Sequence, residues 1–468
     1  MLIEIPRGDN RNATLRAFDS ALTAGIAVLL IVGNKNKGLE RGCDAGAEVD
    51  VLILGGGVVG ITTAYQLQKD GHAVTVLEQA PQVAEGASWG NAGMIAPGHS
   101  YVWSSPAAPR ILLKSLFLKD QALRFRLSAD RHLYAWSLRF LLECTAEKAR
   151  RNTLLKHRLA VHSQSVLRQV VADEGIDYDR TAAGILYFHR SRQALEQGAR
   201  NMRLLESDGQ EIRIVDAEEI VRREPALAAA QAELAGGILC PTDETGDSAK
   251  FTRALAAIVE GRGGRILTGT RITRIERAGD AVTRVMTDKG DFAAEAYVLC
   301  LGAESPILAR QIGLALPIYP IKGYSLTIPV TDRALAPKLP VIDEHNLVAI
   351  TPMGDRLRVT ATAEFAGYDR SHKPADFAFM KRVTQALFPQ GIAYDRAEMW
   401  AGLRPMTPDN LPVLGRRRVG NLWLNSGHGH IGWTMSHGSA RIVADLIAGR
   451  TPAISLEGIV PPEASQAR

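Results

Sequence analysis

The sequence has little of what marks a disulfide-bonded, zinc-binding, nucleic-acid-binding or membrane-spanning protein. Its four cysteines lie far apart and form no C-x-x-C pair, which argues against a disulfide framework, a zinc site and a redox dithiol, and favours reduced thiols in the cytosol. No run of lysine and arginine interleaved with aromatic residues accompanies the net charge of +5, so nucleic acid is not the expected partner. The apolar stretch at residues 21–33 is too short to span a bilayer comfortably.

What the chain does have is the composition of an ordinary globular protein, with 46% hydrophobic and 22% charged residues over a length of 468. That length predicts two or three domains. Residues 1–49 carry mixed charges and no clear cleavage site, which argues against a signal peptide. We interpret them as an N-terminal extension outside the core, with a membrane-touching helix as the alternative.

A glycine-rich turn near the start of the globular region has the spacing typical of a dinucleotide-binding site. Gly55-x-Gly57-x-x-Gly60 follows the strand-like "DVLILG" and opens a helix that starts at Val58 and Val59. Gly55 permits the turn, Gly57 lets the backbone approach a pyrophosphate, and Gly60 lets the helix pack against the strand. The free N–H groups at the helix N-terminus would then face the phosphates.

An acid ends the second strand, "HAVTVLEQ", about twenty residues after the glycines. Glu78 can accept hydrogen bonds from ribose hydroxyls, and its neighbour Gln79 offers no cation to balance a 2′-phosphate. The adenosine half is therefore predicted to be that of FAD or NAD, not NADP.

Two further stretches favour FAD over NAD. The nearly uncharged "GASWGNAGMIAPG" at 86–98 suits a flat ring, and the loop Gly427–Gly432 leads into a C-terminal helix whose N-terminus can face an anionic flavin pyrimidine. Gly261-x-Gly263-Gly264 follows a helix and is read as a helix stop, so no second dinucleotide fold is expected and electrons should enter from a small organic substrate. The residues assigned to the flavin are Asn91, Ala92, Gly93, Met94, Gly302, Gly427, His428, Gly429, Gly432, Trp433 and Thr434.

The alternation of strands and helices predicts an α/β fold with a Rossmann-like FAD-binding domain assembled from three chain segments. These segments are residues 50–100, 241–315 and 401–455. Residues 101–240 and 316–400 are predicted to form an inserted substrate domain built on antiparallel sheet.

The chain resembles the D-amino-acid dehydrogenase small subunit family, within the wider D-amino-acid oxidase, glycine oxidase and sarcosine oxidase group. The matching stretches are "ILGGGVVGITTAYQL", "NAGMIAPG", "DETGD", "YPIKGYSLTIP", "GLRPMTPDNLPVLGR" and "NLWLNSGHGHIGWTMSHGSARIVADLI". The resemblance implies oxidation of a D-amino acid at its α-carbon, with hydride passing to flavin N5 and the imino acid hydrolysing to a 2-oxo acid and ammonia. It implies a quinone or other respiratory carrier as electron acceptor, and a cytoplasmic protein or one held peripherally on the inner face of the cell membrane.

By the same resemblance, Arg404 in "GLRPMTPD" is the carboxylate-binding arginine, with a structural arginine that satisfies loop carbonyls as the alternative. Tyr324 in "KGYSLTI" is expected to add a hydroxyl to the carboxylate or to line the pocket, with a half-buried sheet tyrosine as the alternative. The "GLRPMTPD" segment contains no cysteine, so the FAD should be non-covalent. The substrate amine needs a nearby proton acceptor, and His428 and His430 are candidates by proximity to the loop, although hydrogen-bonded loop histidines are the favoured interpretation. Lys322 could lie near the flavin but is expected to face solvent.

Two alternatives stay open at this point. One is oxidation of glycine or of a secondary amine such as D-hydroxyproline or sarcosine, and the other is a flavin-binding protein without turnover. The sequence leaves the preferred amine, the choice between oxygen and quinone, and the oligomeric state undecided.

Overall fold

The computed structural model describes residues 48–115, 123–126 and 129–461, and within these residues it contains twenty strands, ten α-helices and several short 3₁₀ turns. The proposed extension therefore lies outside the described residues except for its last two positions. In the same part of the chain, no helix is both long and apolar enough to cross a bilayer. No group of three or more His, Cys, Asp and Glu side chains there is placed to hold a metal ion.

The strands are β1 (Asp50–Leu54), β2 (Ala73–Leu77), β3 (Met94–Ile95), β4 (Leu123–Phe125), β5 (Ile185–His189), β6 (Arg213–Val215), β7 (Gly236–Cys240), β8 (Glu244–Thr245), β9 (Arg265–Leu267), β10 (Ile272–Ala278), β11 (Ala281–Thr287), β12 (Gly290–Phe292), β13 (Ala296–Leu299), β14 (Tyr319–Pro329), β15 (Val341–Asp343), β16 (Val348–Met353), β17 (Arg356–Phe365), β18 (Glu398–Met406), β19 (Val413–Arg416) and β20 (Leu422–Ser426). The helices are α1 (Val58–Lys69), α2 (Ala108–Ser115), α3 (Arg131–Glu143), α4 (Ala146–Glu174), α5 (Arg192–Glu206), α6 (Ala217–Arg223), α7 (Ser248–Gly261), α8 (Ser305–Gln311), α9 (Ala378–Leu387) and α10 (Gly432–Ile447).

The first sheet has six strands in the order β19-β20-β13-β1-β2-β9, all parallel except β19. Its strands β1, β13 and β20 are buried almost throughout, as expected for a parallel sheet covered on its faces. The six strands come from three separate parts of the sequence, at 50–77, 265–299 and 413–426. A small antiparallel sheet, β10-β11-β12, stands beside it.

The second sheet follows the order β18-β14-β17-β16-β15-β5-β7-β6, with β4 added alongside β17. Most of its pairs are antiparallel, while β15 with β5 and β17 with β4 are parallel. β18 belongs to this sheet, so the predicted boundary at residue 401 falls inside a strand of the second sheet. The division into domains otherwise stays a prediction.

Two helices that flank the sheets have clear local causes. α7 begins where the Asp247 side chain accepts hydrogen bonds from the N–H groups of Ala249 and Lys250, and it ends at Gly261, which confirms the helix stop. α4 is capped by the Thr145 hydroxyl and ends at Gly175, which takes the left-handed conformation. Both helices pack apolar residues into the core that covers the first sheet.

The turn between β1 and α1 requires glycine at two positions. Gly55 has a φ of 110°, which favours glycine, and a Cβ on Gly60 would lie 1.8 Å from the carbonyl oxygen of Gly55. The helix therefore packs against the turn without any space for a side chain.

We predict that Gly60→Ala lowers the urea midpoint of unfolding and destabilises the protein by about 1–3 kcal/mol, because the new methyl group forces helix and turn apart. Gly261→Ala is the matched control. A Cβ at that position meets no atom within 4 Å, so its midpoint should stay the same or rise slightly. Equal midpoints for the two variants would contradict this account of the turn.

Candidate active site

A deep cleft of about 560 Å³ opens at the carboxyl ends of β1, β2, β13 and β20 and continues to β14 and β18 of the second sheet. Ligands of open parallel sheets bind in this position, because the loops that follow the strands diverge there. The cleft brings together most of the residues predicted from sequence. Those on its wall are Gly55, Gly57, Val58, Val59, Glu78, Gln79, Asn91, Ala92, Gly302, Tyr324, Arg404, His428, Gly429, Gly432 and Trp433.

The glycine turn and the start of α1 form one end of the cleft. Gly57 precedes the first helical residue and offers no side chain to cap the helix, so the N-terminal N–H groups depend on other partners. Ser88 supplies one, since its hydroxyl accepts a hydrogen bond from the Val58 N–H at 3.0 Å. The rest of the first turn lies at the cleft wall, where a helix N-terminus favours an anion.

Glu78 is held in place by the backbone around it. One carboxylate oxygen accepts from the Gly56 N–H at 2.7 Å and the other from the Ala80 N–H at 2.8 Å. Burial raises the pKa of Glu78, although these two hydrogen bonds oppose the change. Each oxygen keeps lone pairs that ribose hydroxyls can use.

Arg271 also lines this end of the cleft, and the sequence reasoning did not find it. It follows β9, almost two hundred residues after Glu78, so only the folded sheet brings it to the adenosine end. The sequence neighbours of Glu78 include no cation, as expected, but the fold places the cationic Arg271 in the same part of the cleft.

Arg404 occupies the opposite end, on β18. Its Nη1 donates to the carbonyl oxygen of Thr362 at 2.9 Å and, at 3.5 Å, to that of Lys322. A Cβ on Gly323 would lie 2.2 Å from the same nitrogen, so the guanidinium fits only because residue 323 is glycine. Burial lowers the pKa of Arg404 to about 10, which leaves it charged at neutral pH. No described carboxylate pairs with it.

A β-bulge aims the Thr362 carbonyl at Arg404. Lys322 pairs with Glu364, and Tyr324 pairs with Ala361. Between these two pairs β17 advances by three residues while β14 advances by two, so β17 contains one extra residue. Thr362, within this extra length, has a φ of 67°, a conformation that β-branched residues rarely adopt. Such strain is kept where the surrounding structure holds it, and here it orients an acceptor for the guanidinium.

Tyr324 lies on the cleft wall but is fully buried in β14, and its hydroxyl donates to Glu364. Burial, reinforced by that carboxylate, raises the pKa of Tyr324. Lys322 is also fully buried and donates to the Ser371 carbonyl, with Asp369 3.7 Å away. The expectation of a solvent-facing lysine was wrong, because β14 lies between β18 and β17 and residues 319–326 are buried on both faces of the strand. Glu364 is the residue that sequence reasoning missed here.

The loop before α10 supplies buried polar atoms that lack protein partners. His428 Nε2 lies 2.8 Å from the Ser439 hydroxyl, and burial lowers the pKa of His428 to about 3. The Nδ1 atoms of His428 and His430 and the indole nitrogen of Trp433 have no hydrogen-bond partner among the described residues. Buried polar groups are nearly always paired, so a polar ligand is expected at this wall. With the glycine turn, Glu78 and an elongated cleft, these residues fit a flavin dinucleotide.

Trp400 is a second residue that sequence reasoning missed. Its indole fits between Gly90 and Gly402, where an added Cβ would come within about 2 Å of the ring at either position. It lines the cleft and packs against Gly90 of the predicted flavin stretch.

Five predicted residues stand outside the set that lines the cleft as the described residues form it: Gly60, Gly93, Met94, Gly427 and Thr434. They support the wall from behind. The Thr434 hydroxyl, for instance, donates to the Met94 carbonyl at 3.2 Å and accepts from the Ala96 N–H at 3.1 Å. Their assignment to the cofactor stays a prediction.

Comparisons with known proteins agree on one family. The family model described as FAD dependent oxidoreductase matches residues 50–446. D-amino acid dehydrogenase 2 of Mesorhizobium japonicum is 45% identical over 411 residues, which cover 88% of this chain and 99% of that protein. D-amino acid dehydrogenase of Methylobacterium radiotolerans is 45% identical over 410 residues, covering 87% and 98%. Among solved structures, glycine oxidase from Geobacillus kaustophilus matches with a TM-score of 0.67 at 25% identity, over 88% of this chain and 98% of that one.

We predict that Glu78→Gln weakens FAD binding by about ten-fold to a hundred-fold, because an amide cannot accept from both backbone N–H groups and the ribose together. Fluorescence titration of the apoprotein with FAD measures this. Glu295→Gln is the matched control, since Glu295 accepts from the Asp50 N–H at 2.8 Å at the far end of β1. Unchanged affinity in the Glu78 variant would remove this residue from the site.

Proposed function

The chain belongs to the family of FAD-dependent oxidoreductases, and from that premise we propose that it oxidises D-amino acids at Cα, giving an imino acid and then a 2-oxo acid and ammonia. The substrate class is supported by the names of relatives at 45% identity over most of both chains. Within the molecule, the observation that carries the proposal is the Arg404 guanidinium, charged and without an anionic partner in the cleft.

Arg404 would bind the substrate carboxylate. A guanidinium pairs with a carboxylate through two parallel hydrogen bonds. The orientation of the Arg404 guanidinium is already set by the hydrogen bond from its Nη1 to the Thr362 carbonyl. Tyr324 would shape the wall beside it and leave the carboxylate to Arg404, because its hydroxyl is engaged with Glu364. The buried surroundings exclude water and strengthen the ion pair.

Bound FAD supplies the acceptor for the hydride that leaves Cα. Gly55, Gly57 and the start of α1 would hold its pyrophosphate, Glu78 its ribose, and the loop before α10 the polar edge of its ring. We propose that it is held non-covalently. Cys300 reaches the cleft, but burial raises the pKa of its thiol to about 12, so little thiolate is available to attack a ring.

We assign the electrons to a quinone or other respiratory carrier, with the protein in the cytoplasm or held peripherally on the inner face of the membrane. Sedimentation of the activity with the membrane fraction would separate these two locations.

The function is tested by adding D- and L-amino acids, glycine, sarcosine and hydroxyproline isomers anaerobically while flavin absorbance at about 450 nm is followed. Bleaching by D-amino acids and not by their L-isomers is expected. The bleached protein, mixed with oxygen or with a soluble quinone, should be reoxidised faster by the quinone. Bleaching by secondary amines alone would replace the substrate class, and no bleaching by any amine would refute the proposal.

We predict that Arg404→Met lowers kcat/KM for a D-amino acid by about 10²–10³-fold, because the substrate carboxylate would be buried without its charged partner. Arg404→Lys should recover part of this loss, since it restores the charge without the planar fork. Steady-state kinetics measure both, with FAD content and melting temperature as checks on folding. Arg192→Met, at an exposed position on α5, is the control and should match the wild type. Full activity in Arg404→Met would exclude Arg404 as the clamp.

A further inference from the structure

Lys156 is a buried lysine that has no role in the carboxylate binding or the hydride transfer described above. It lies on α4, is fully buried, and its Nζ is 3.3 Å from the Tyr101 carbonyl oxygen and 3.3 Å from His430 Nε2. No carboxylate of the described residues lies within ion-pairing distance of it. Burial lowers the pKa of Lys156 to about 7.

A buried lysine without an acid partner is costly, because the charged form loses its hydration and gains no counter-ion. A methionine or leucine would fill the same space between α4 and the cleft wall at no such cost. Lysines whose pKa lies near neutrality through burial serve as proton acceptors in many enzymes.

His430 connects this lysine to the cleft. It lies on the cleft wall, stacks on Trp103 with ring centres 5.0 Å apart, and turns Nε2 toward Lys156. Its other nitrogen, Nδ1, is buried and has no protein partner among the described residues. Burial, with the charge of Lys156 next in effect, holds the pKa of His430 well below its usual value, although a contact with the His99 backbone opposes this change.

The groups that face this pair are neutral or cationic near the cleft. His99 lies edge-on to His430 at 5.6 Å, and burial lowers its pKa to about 4. Arg404 adds a positive charge from β18. On the far side, Tyr187 stacks on His99 and its hydroxyl donates to Asp243 at 3.4 Å, where burial raises the pKa of that carboxyl to about 7.

We propose that His430 and Lys156 form a proton relay that takes the proton an ammonium substrate must lose before hydride leaves Cα; this rests on the proposed amino-acid oxidation. The ammonium N–H bond breaks as a bond forms to His430 Nδ1. The His430 Nε2–H bond breaks as a bond forms to the Lys156 Nζ lone pair. The free amine remains on the substrate, and the proton ends on the lysine.

The relay fixes the direction of a pH dependence. Below about pH 7 Lys156 already holds its proton and donates it to His430 Nε2, so no acceptor is free and the rate falls. Above that pH the lysine is neutral and the rate reaches its plateau. Lys156→Arg distinguishes the relay from simple charge repulsion. An arginine at position 156 would still repel the substrate ammonium, but it could not accept the proton.

The test compares Lys156→Met, Lys156→Arg and wild type by the pH profile of anaerobic flavin reduction with a D-amino acid. We expect Lys156→Met to reduce kcat/KM at pH 7 by about 10²-fold, and its profile to shift upward by about one pH unit or more, toward the pKa of the substrate amine itself. Lys156→Arg should be equally slow at pH 7, since it carries a proton at every pH. Lys148→Met, at a partly exposed position on the same helix, should reproduce the wild-type profile.

A second readout guards against a folding defect. Propionate, a carboxylate without an amine, should perturb the flavin spectrum with the same dissociation constant in all four proteins, because the relay acts on the amine alone. Superimposable profiles for wild type and Lys156→Met, or wild-type rates in Lys156→Arg, would overturn the relay while leaving the proposed function intact. Failure of the wild-type flavin to bleach with any amine would overturn both.

Discussion

The charge of Arg404, held in a cleft without an anion beside it, is the constraint around which the second sheet is arranged. Its guanidinium needs a carbonyl acceptor and space, and the bulge at Thr362 and the glycine at 323 supply them. Both features weaken an ordinary strand, since the bulge breaks the ladder and glycine adds no packing. A sheet keeps such features where they place a functional group, and on the proposed function the missing partner of Arg404 is the substrate carboxylate.

Both sheets contribute to the cleft, the first through the loops after its parallel strands and the second through β14 and β18. The loops that follow the parallel strands of the first sheet lie at its carboxyl edge. The N-terminus of α1, which favours an anion, and Glu78, which can accept from a ribose, line the cleft there. The pairing of β14 with β18 carries Tyr324 and Arg404 to the same opening. The residues proposed for the cofactor and those proposed for the substrate therefore come from different sheets and lie along one cleft.

Features that depend on neighbours in sequence could be predicted from it, and features that depend on the fold could not. The glycine turn, the helix stop at Gly261 and the burial of β1 follow from local stereochemistry, and the structure confirms them. The expectation for Lys322 was wrong because β14 lies inside the second sheet with both of its faces buried, and that depends on elements far away in sequence. Arg271, Glu364 and Lys156 were missed since their partners lie tens to hundreds of residues away.

Electrostatics then give one explanation for substrate binding and activation on the proposed function. Arg404 makes the substrate end of the cleft positive, His428 and His430 stay neutral through burial, and above about pH 7 Lys156 is neutral and can accept a proton. A positive, water-poor cleft stabilises a carboxylate and destabilises an ammonium in the same molecule. The zwitterion that dominates in water is thus held by its acid group and pushed to release the amine proton. The free energy that binds the carboxylate is what brings the amine to its reactive form.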